Sequence, residues 1–335
     1  MNPSRIIISR TDSIGDVVLT LPLCNWLRNS FPDAELIYLG RNYTKEVVKS
    51  FSLIDQFISW DDIQKIPSSE QIIRFRSLKA DTIIHVFPNK DIANLAKRVK
   101  IPQRIGTSHR LFHLLTCNHR IDFSRKNSDL HEAQLNFELL RPLGVKVIPT
   151  LDDINASISP IEIENNNLSE EFQELLNTNK KIVLLHPKSQ GSAREWPIEK
   201  YFSLATELVQ IGYTVIFTGT DSEGKQFREK IPNHQNIHDS TGKLTLNQLL
   251  YLISKSYALV ACSTGPLHLA GVSQIKTIGL FSNTRPIHPG RWRPIGNCVF
   301  TLVYDENCKA CKKGKKCKCI EEISTERVLN LVISD

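Results

Sequence analysis

The chain has 335 residues, 41% hydrophobic and 23% charged, which supplies apolar material for two ordinary cores and is too even a mixture for disorder. No apolar run approaches the roughly 18 residues a membrane-spanning helix needs, and Met1-Asn2-Pro3-Ser4-Arg5 passes straight into Ile6-Ile7-Ile8, so no signal peptide is expected and a cytoplasmic location is. The net charge of +7 suits partners that carry phosphate, but no nucleic-acid module and no interleaving of aromatics with basic runs is present, which sets nucleic acid aside.

In chain order, Arg5 to Ser9 reads as a strand and Gly15 to Arg28 as a helix bent at Pro22, whose ring cannot sit beneath the carbonyl of Val18. Glu35 to Leu39 and Thr82 to Val86 read as further strands, and the alternation predicts a parallel sheet with crossover helices. His131 to Leu143 places Leu135, Leu139 and Leu143 on a helical spacing and stops at Gly144, a candidate left-handed cap. From Thr150 to about Thr178 the chain is rich in Asn, Ser and Glu around Asn165-Asn166-Asn167, which reads as a linker followed by a short helix.

A second alternation follows. Lys181 to Leu185, Thr214 to Thr218, Ala258 to Val260 and Lys276 to Leu280 read as strands, with Ile198 to Gln210, Leu246 to Ser254 and Pro266 to Ala270 as helices between them. Ser324 to Val332 reads as a last helix able to pack on either half. The expectation is an α/β chain of two Rossmann-like domains, 1–155 and 178–335, joined by the linker 156–177 and facing a cleft at the carboxyl ends of their strands.

Three strand-to-helix turns could carry chemistry. The first is Ser9-Arg10-Thr11-Asp12-Ser13-Ile14-Gly15-Asp16, where Gly15 permits close approach and the helix start favours an anion. It matches neither the dinucleotide fingerprint nor a Walker loop. Ser13-x-x-Asp16 has the spacing of a capping box, and on pattern alone that is the simpler role for Asp16. The other role is a carboxylate that stays ionised at a helix start and takes a proton from an attacking hydroxyl. Both can hold for one residue.

The second turn, His186-Pro187-Lys188-Ser189-Gln190-Gly191-Ser192-Ala193-Arg194-Glu195-Trp196-Pro197, places hydroxyls, amides and cations where such sheets bind phosphate, with Arg194 able to fork onto a diphosphate. The alternative is a solvated polar loop with an Arg-Glu pair. The third, Cys262-Ser263-Thr264-Gly265-Pro266-Leu267-His268-Leu269-Ala270, is an amide-rich helix start in which His268 is either a core histidine or part of the same anion site.

These three turns, in this order, resemble those of glycosyltransferase family 9, the lipopolysaccharide heptosyltransferases, and the resemblance runs over almost the whole chain. It implies a GT-B fold and an inverting, metal-independent transfer from a nucleotide-activated heptose, usually ADP-heptose, to inner-core lipopolysaccharide, with no cofactor. By position, Asp16 matches the family's catalytic base, and Arg10, Thr11 and Gly15 fall in its acceptor-side loop. Arg194 stands where a basic residue, commonly lysine, meets the donor phosphates, beside Lys188, Ser189 and Gln190. Glu223 matches the residue that holds the ribose, Leu244 an apolar residue flanking the adenine, and Thr264, Gly265 and His268 the diphosphate turn. Many members carry aspartate where this chain has Ser263, which leaves open a different nucleotide sugar. A catalytically silent nucleotide-sugar-binding protein is the reading from another class.

Four of the eight cysteines are packed into Cys308-x2-Cys311-x5-Cys317-x-Cys319. They are enough for a four-thiolate metal site, yet the second pair is separated by one residue, which suits metal poorly, and the resemblance, whose members often carry cysteines here, implies a local structural role, reduced or bridged. Lys309, Lys312, Lys313, Lys315, Lys316 and Lys318 interleave with them, either as a solvated surface or as an attraction to an anionic acceptor or inner leaflet.

Overall fold

The computed structural model describes residues 2–125, 128–159, 161–163 and 168–334. The chain divides into two compact units, Met1–Glu162 and Ile163–Asp335. Asn165-Asn166-Asn167, the centre of the expected linker, lies outside the described residues.

The first unit is built on β1 (Arg5–Ser9), β2 (Glu35–Gly40), β3 (Gln56–Ser59), β4 (Thr82–His85), β5 (Gln103–Thr107) and β6 (His119–Ile121). All six are parallel in the order β3-β2-β1-β4-β5-β6, with Ile6 opposite both Leu36 and Thr82. Helices cover both faces, so Ile6, Ile7 and Ile8 are wholly buried despite pointing alternately up and down. The second unit repeats the plan with β7 (Ile182–His186), β8 (Thr214–Phe217), β9 (Ile237–Asp239), β10 (Ala258–Cys262), β11 (Lys276–Phe281) and β12 (Val299–Val303), in the order β12-β11-β10-β7-β8-β9. In each unit the chain order reverses at the sheet centre, between β1 and β4 and between β7 and β10. Loops diverge at such points and leave a crevice at the carboxyl edge.

Several sequence expectations change. The helix expected over Gly15 to Arg28 is two helices, Ile14–Val18 and Leu21–Ser30. The Thr20 hydroxyl donates to the Asp16 carbonyl at 2.9 Å and closes the first. Pro22 then lies in the first turn of the second, where its missing donor costs nothing, so it starts a helix rather than bending one. The helix from His131 stops earlier, as Glu132–Glu138, and a 3-10 turn at Arg141–Leu143 containing Pro142 follows. Gly144 adopts φ +112° and is the left-handed cap expected. Leu151–Ser157 is a helix within the stretch read as linker, started by a Thr150–Asp153 capping box, whereas Glu170–Leu176 is the short helix expected after it. Strands β3, β5, β6, β9 and β12 went unread, four of them short or polar.

The last helix, Thr325–Ile333, packs on Ile198–Gln210 in the second unit, where Val328 and Val332 join Trp196, Tyr201 and Leu204 in one core. The indole nitrogen of Trp196 donates to the Ile323 carbonyl at 2.9 Å. Burying an indole requires such a partner, and here it also ties the 187–197 loop to the C-terminal segment.

Candidate active site

In the first unit the loop leaving β1 carries Arg10, Thr11, Asp12 and Ser13 into the helix that holds Gly15 and Asp16. Ser13 is the N-cap, but its side chain accepts no amide. Its hydroxyl instead donates to Asp16 Oδ2, and Arg10 Nη2 donates to Asp16 Oδ1. The capping box expected from the spacing therefore does not form. A carboxylate has room for about four hydrogen bonds, and these donors fix its plane without using that capacity up.

Arg10 is buried and lies among acids: Nε bonds Asp12 Oδ1 at 2.7 Å, and Nη1 reaches Glu132 Oε1 and Asn136 Oδ1, each at 3.4 Å. Burial opposes its charge, but Asp12, Asp16 and Glu132 outweigh burial and hold the guanidinium proton more tightly than usual. Burial pushes the Asp12 carboxyl above the usual carboxylate range, against the pull of Arg10 and with the charge of Asp16 adding to the rise. Arg125 shares Glu132 at 2.9 Å and reaches the Val86 carbonyl just beyond β4 at 3.2 Å, so the network spans the switch point. Thr11 and Gly15 are buried beside it.

Glu132, Asn136 and Arg125 were not singled out from the sequence. Glu132 and Asn136 are polar at i and i+4 of a helix that buries Ala133, Leu135 and Phe137, and two polar residues sharing a buried face are the signal that could have found them.

In the second unit the loops after β7 and β10 meet: Ser192 Oγ donates to the Ser263 carbonyl at 3.4 Å. Gly191, Arg194 and Ser263, with Phe281, Thr284 and Ile287 from beyond β10, line a cavity of about 180 Å³. The β7 loop is held from within. Glu195 accepts Lys188 Nζ at 2.5 Å, and the Ser189 amide and hydroxyl at 2.8 and 3.0 Å. Burial alone would raise the Glu195 carboxyl, but these donors bring it below its ordinary value. The expected Arg-Glu pair is thus Lys188–Glu195. Gln190 and Gly191 turn the loop with φ +50° and +83°, and Gln190 is exposed.

Thr264 is the N-cap of helix Gly265–Val272, yet its side chain caps nothing. Its buried hydroxyl has no hydrogen-bond partner among the described residues. Buried hydroxyls rarely go unpaired, so this one is available to a ligand that brings an oxygen to the helix start. Pro266 removes an amide where none is needed, and His268 is buried one turn in, its amide 3.4 Å from the Thr264 carbonyl.

Arg194 lines the cavity, but its fork is occupied: Nη1 donates to Cys317 Sγ at 2.9 Å and Nη2 to the Lys315 carbonyl at 2.7 Å. Glu223 is buried beyond β8, and its Oε2 closes a capping box with the amide and hydroxyl of Thr220 at 2.7 and 2.9 Å. Leu244 is half-buried in the turn before helix Leu246–Lys255. The Gly242 amide donates to the Gly219 carbonyl at 2.9 Å and joins the loops that carry Leu244 and Glu223. His186 was quoted but not singled out. It ends β7, bonds Thr218 Oγ1 through Nδ1 at 3.0 Å, and is driven toward its neutral form by burial, against the charges of Glu223 and Glu195.

The sequence profile of glycosyltransferase family 9 (heptosyltransferase) matches residues 74–321. The chain belongs to glycosyltransferase family 9. The transferase is 27% identical over 304 residues to a glycosyltransferase of Haemophilus influenzae, covering 88% of this chain and 86% of that one. It is 23% identical over 338 residues to lipooligosaccharide heptosyltransferase 2 of Campylobacter jejuni, covering 97% and 96%. Among solved structures it is similar to the ADP-heptose lipopolysaccharide heptosyltransferase II of Escherichia coli, with a TM-score of 0.74 at 16% identity over 99% of this chain and 97% of that one. That likeness is one of fold, the GT-B class with two Rossmann-like units. No helix among the described residues of the transferase is long and apolar enough to cross a membrane.

Proposed function

We propose that the enzyme moves a heptose from ADP-heptose to a lipopolysaccharide-core acceptor, with inversion and without a metal ion on the donor diphosphate. The observation that carries this reading is the Ser192–Ser263 junction, which gathers Gly191, Arg194 and Ser263 around one pocket next to the unpartnered Thr264 hydroxyl. The sugar and its carrier follow the similarity to the lipooligosaccharide heptosyltransferase of Campylobacter and the ADP-heptose heptosyltransferase of Escherichia.

In this mechanism Asp16 takes the proton of the acceptor hydroxyl as its oxygen attacks the anomeric carbon of the donor. The bond to the diphosphate breaks from the opposite face, and a single displacement inverts the centre. The reaction requires the Asp16 loop to reach the donor bound by the second unit. Arg10 keeps the Asp16 carboxylate oriented. The amides at the start of Gly265–Val272, together with Arg194 and Lys188, take up the departing charge. There is no Asp-x-Asp in the chain to clamp a divalent ion on the diphosphate. His268 supports the diphosphate turn, Glu223 the ribose, and Leu244 the base. Because the acceptor is a glycolipid, the enzyme would work at the inner leaflet, and the exposed Lys309, Lys312, Lys313, Lys315, Lys316 and Lys318 suit its anionic surface.

Ser263 in the pocket favours one alternative, a donor sugar other than heptose, because serine offers a hydroxyl where many members have a carboxylate. A thermal-shift panel of ADP-heptose, ADP-glucose, UDP-glucose and GDP-mannose tests both. Stabilisation by ADP-heptose above the others supports the proposal. Stabilisation by an ADP-hexose alone transfers it to the alternative, and a response to UDP-glucose or GDP-mannose alone removes the adenine assignment.

A further inference from the structure

The cysteine cluster lies outside the transfer chemistry, and its geometry departs from what its spacing suggested. Cys308, Cys311, Cys317 and Cys319 bring their sulfur atoms within 4.8 Å of one another. Gly314 at φ +67° reverses the chain between the two pairs, and the Lys315 amide closes the turn on the Ala310 carbonyl at 2.9 Å. The one-residue separation of Cys317 and Cys319 is therefore no obstacle, since the turn folds the second arm over the first. Cys311 and Cys319 are buried, whereas Cys308 and Cys317 are half-buried at the rim.

We propose that these four thiols hold one divalent, thiolate-preferring metal ion of the zinc or ferrous type, and that this centre braces the wall of the Gly191–Arg194–Ser263 pocket. Metal–sulfur bonds of about 2.3 Å in a tetrahedron place the sulfurs about 3.8 Å apart, within the spread observed. Cys311 Sγ and Cys317 Sγ, at 2.9 Å, would open by about 1 Å on binding. The Cys311 amide already donates to Cys308 Sγ at 3.5 Å and holds the first pair together.

Charge points the same way. Four thiols lose four protons to a doubly charged ion, leaving a centre with two net negative charges. Six exposed lysines, Lys309, Lys312, Lys313, Lys315, Lys316 and Lys318, surround it, and Arg194 donates to Cys317 Sγ at 2.9 Å. Without a central anion so many like charges on a short loop repel one another. The same Arg194 lines the pocket, beside Thr284 and Ser263. A metal-locked loop thus fixes Arg194, and the metal-free loop would release it.

The bracing claim rests on the donor-pocket reading, whereas the metal claim does not. The test begins with protein purified without a metal-chelating tag and assayed by mass spectrometry for bound metal. One equivalent of zinc or iron per chain, lost in both Cys308→Ser and Cys311→Ser, is expected. Cys308 is at the rim, so its variant keeps the test informative if the buried Cys311→Ser does not fold. Cobalt substitution should add thiolate charge-transfer absorption. Less than a tenth of an equivalent after supplying zinc under reducing conditions, or a Cys311–Cys317 disulfide in protein prepared under reducing conditions, overturns the metal site. Calorimetry with ADP then tests the brace: at least threefold weaker binding after chelation is expected, and equal binding overturns it. If ADP fails to bind the metal-loaded protein as well, the donor pocket is wrong and the metal site stands.

Discussion

Arg10 donates to Asp16 from a buried position, and the same guanidinium holds Asp12 at 2.7 Å and Glu132 at 3.4 Å. One cation therefore sets the orientation of the proposed base and ties it to the helix Glu132–Glu138. Removing it strips a partner from buried Glu132 and from half-buried Asp12 and Asp16. Arg10→Gln is expected to cost about 3–5 kcal/mol of stability in urea unfolding. A loss below about 1 kcal/mol would mean that the acids find water or protons without it.

The buried histidines give stability a pH dependence of definite sign. His85 is wholly buried beside His113, their rings 5.4 Å apart, and burial drives it down to about 3, with the charges of His113 and Arg104 adding to the fall. The unfolded chain binds that proton near 6.5 and the folded chain does not, so this contribution is complete above 6.5 and declines as pH falls below it. At pH 5 the loss from His85 is about 2 kcal/mol. Denaturant midpoints from pH 8 to 5 should fall in the wild type and fall less in His85→Gln. An equal slope in the two proteins would clear His85.

Thr264 separates a ligand contact from a structural one. Its hydroxyl has no partner among the described residues, so Thr264→Val should leave the ligand-free melting temperature unchanged or higher. ADP binding should weaken by roughly tenfold, the worth of a hydrogen bond to a charged oxygen. Unchanged ADP affinity would place the diphosphate elsewhere.

The six exposed lysines predict electrostatic docking. Binding to vesicles rich in phosphatidylglycerol should be lost as salt rises, and should weaken roughly fivefold for each of Lys312, Lys313, Lys315 and Lys316 changed to Gln. Sedimentation with vesicles that is indifferent to both salt and substitution would contradict this.

Much of the fold was legible because parallel strands buried on both faces read as β-branched runs, as in Ile6-Ile7-Ile8. Edge strands such as His119–Ile121 and Ile237–Asp239 are three residues long and carry no such pattern. The turns holding Asp16, Arg194 and Thr264 were legible for a related reason: each lies between a strand pattern and a helix pattern, at the edge where open sheets bind ligands. Their partners were not. Arg10 meets Glu132 across 122 residues and Arg194 meets Cys317 across 123, distances over which one sequence carries no signal. Ser13-x-x-Asp16 failed differently, since spacing permits a capping box but a buried guanidinium nearby decides where the carboxylate turns. The cysteine spacing alone did not show that the four sulfurs gather within 4.8 Å of one another, because the left-handed turn at Gly314 lies outside what spacing counts.

The most direct measurement is the rate of ADP release from ADP-heptose by wild type and Asp16→Asn, with a deep-core lipopolysaccharide acceptor. Wild type should turn over, and the variant should be slower by about 100-fold or more with ADP affinity unchanged. An Asp16→Asn enzyme that releases ADP at the wild-type rate would contradict the assignment of Asp16 as the base.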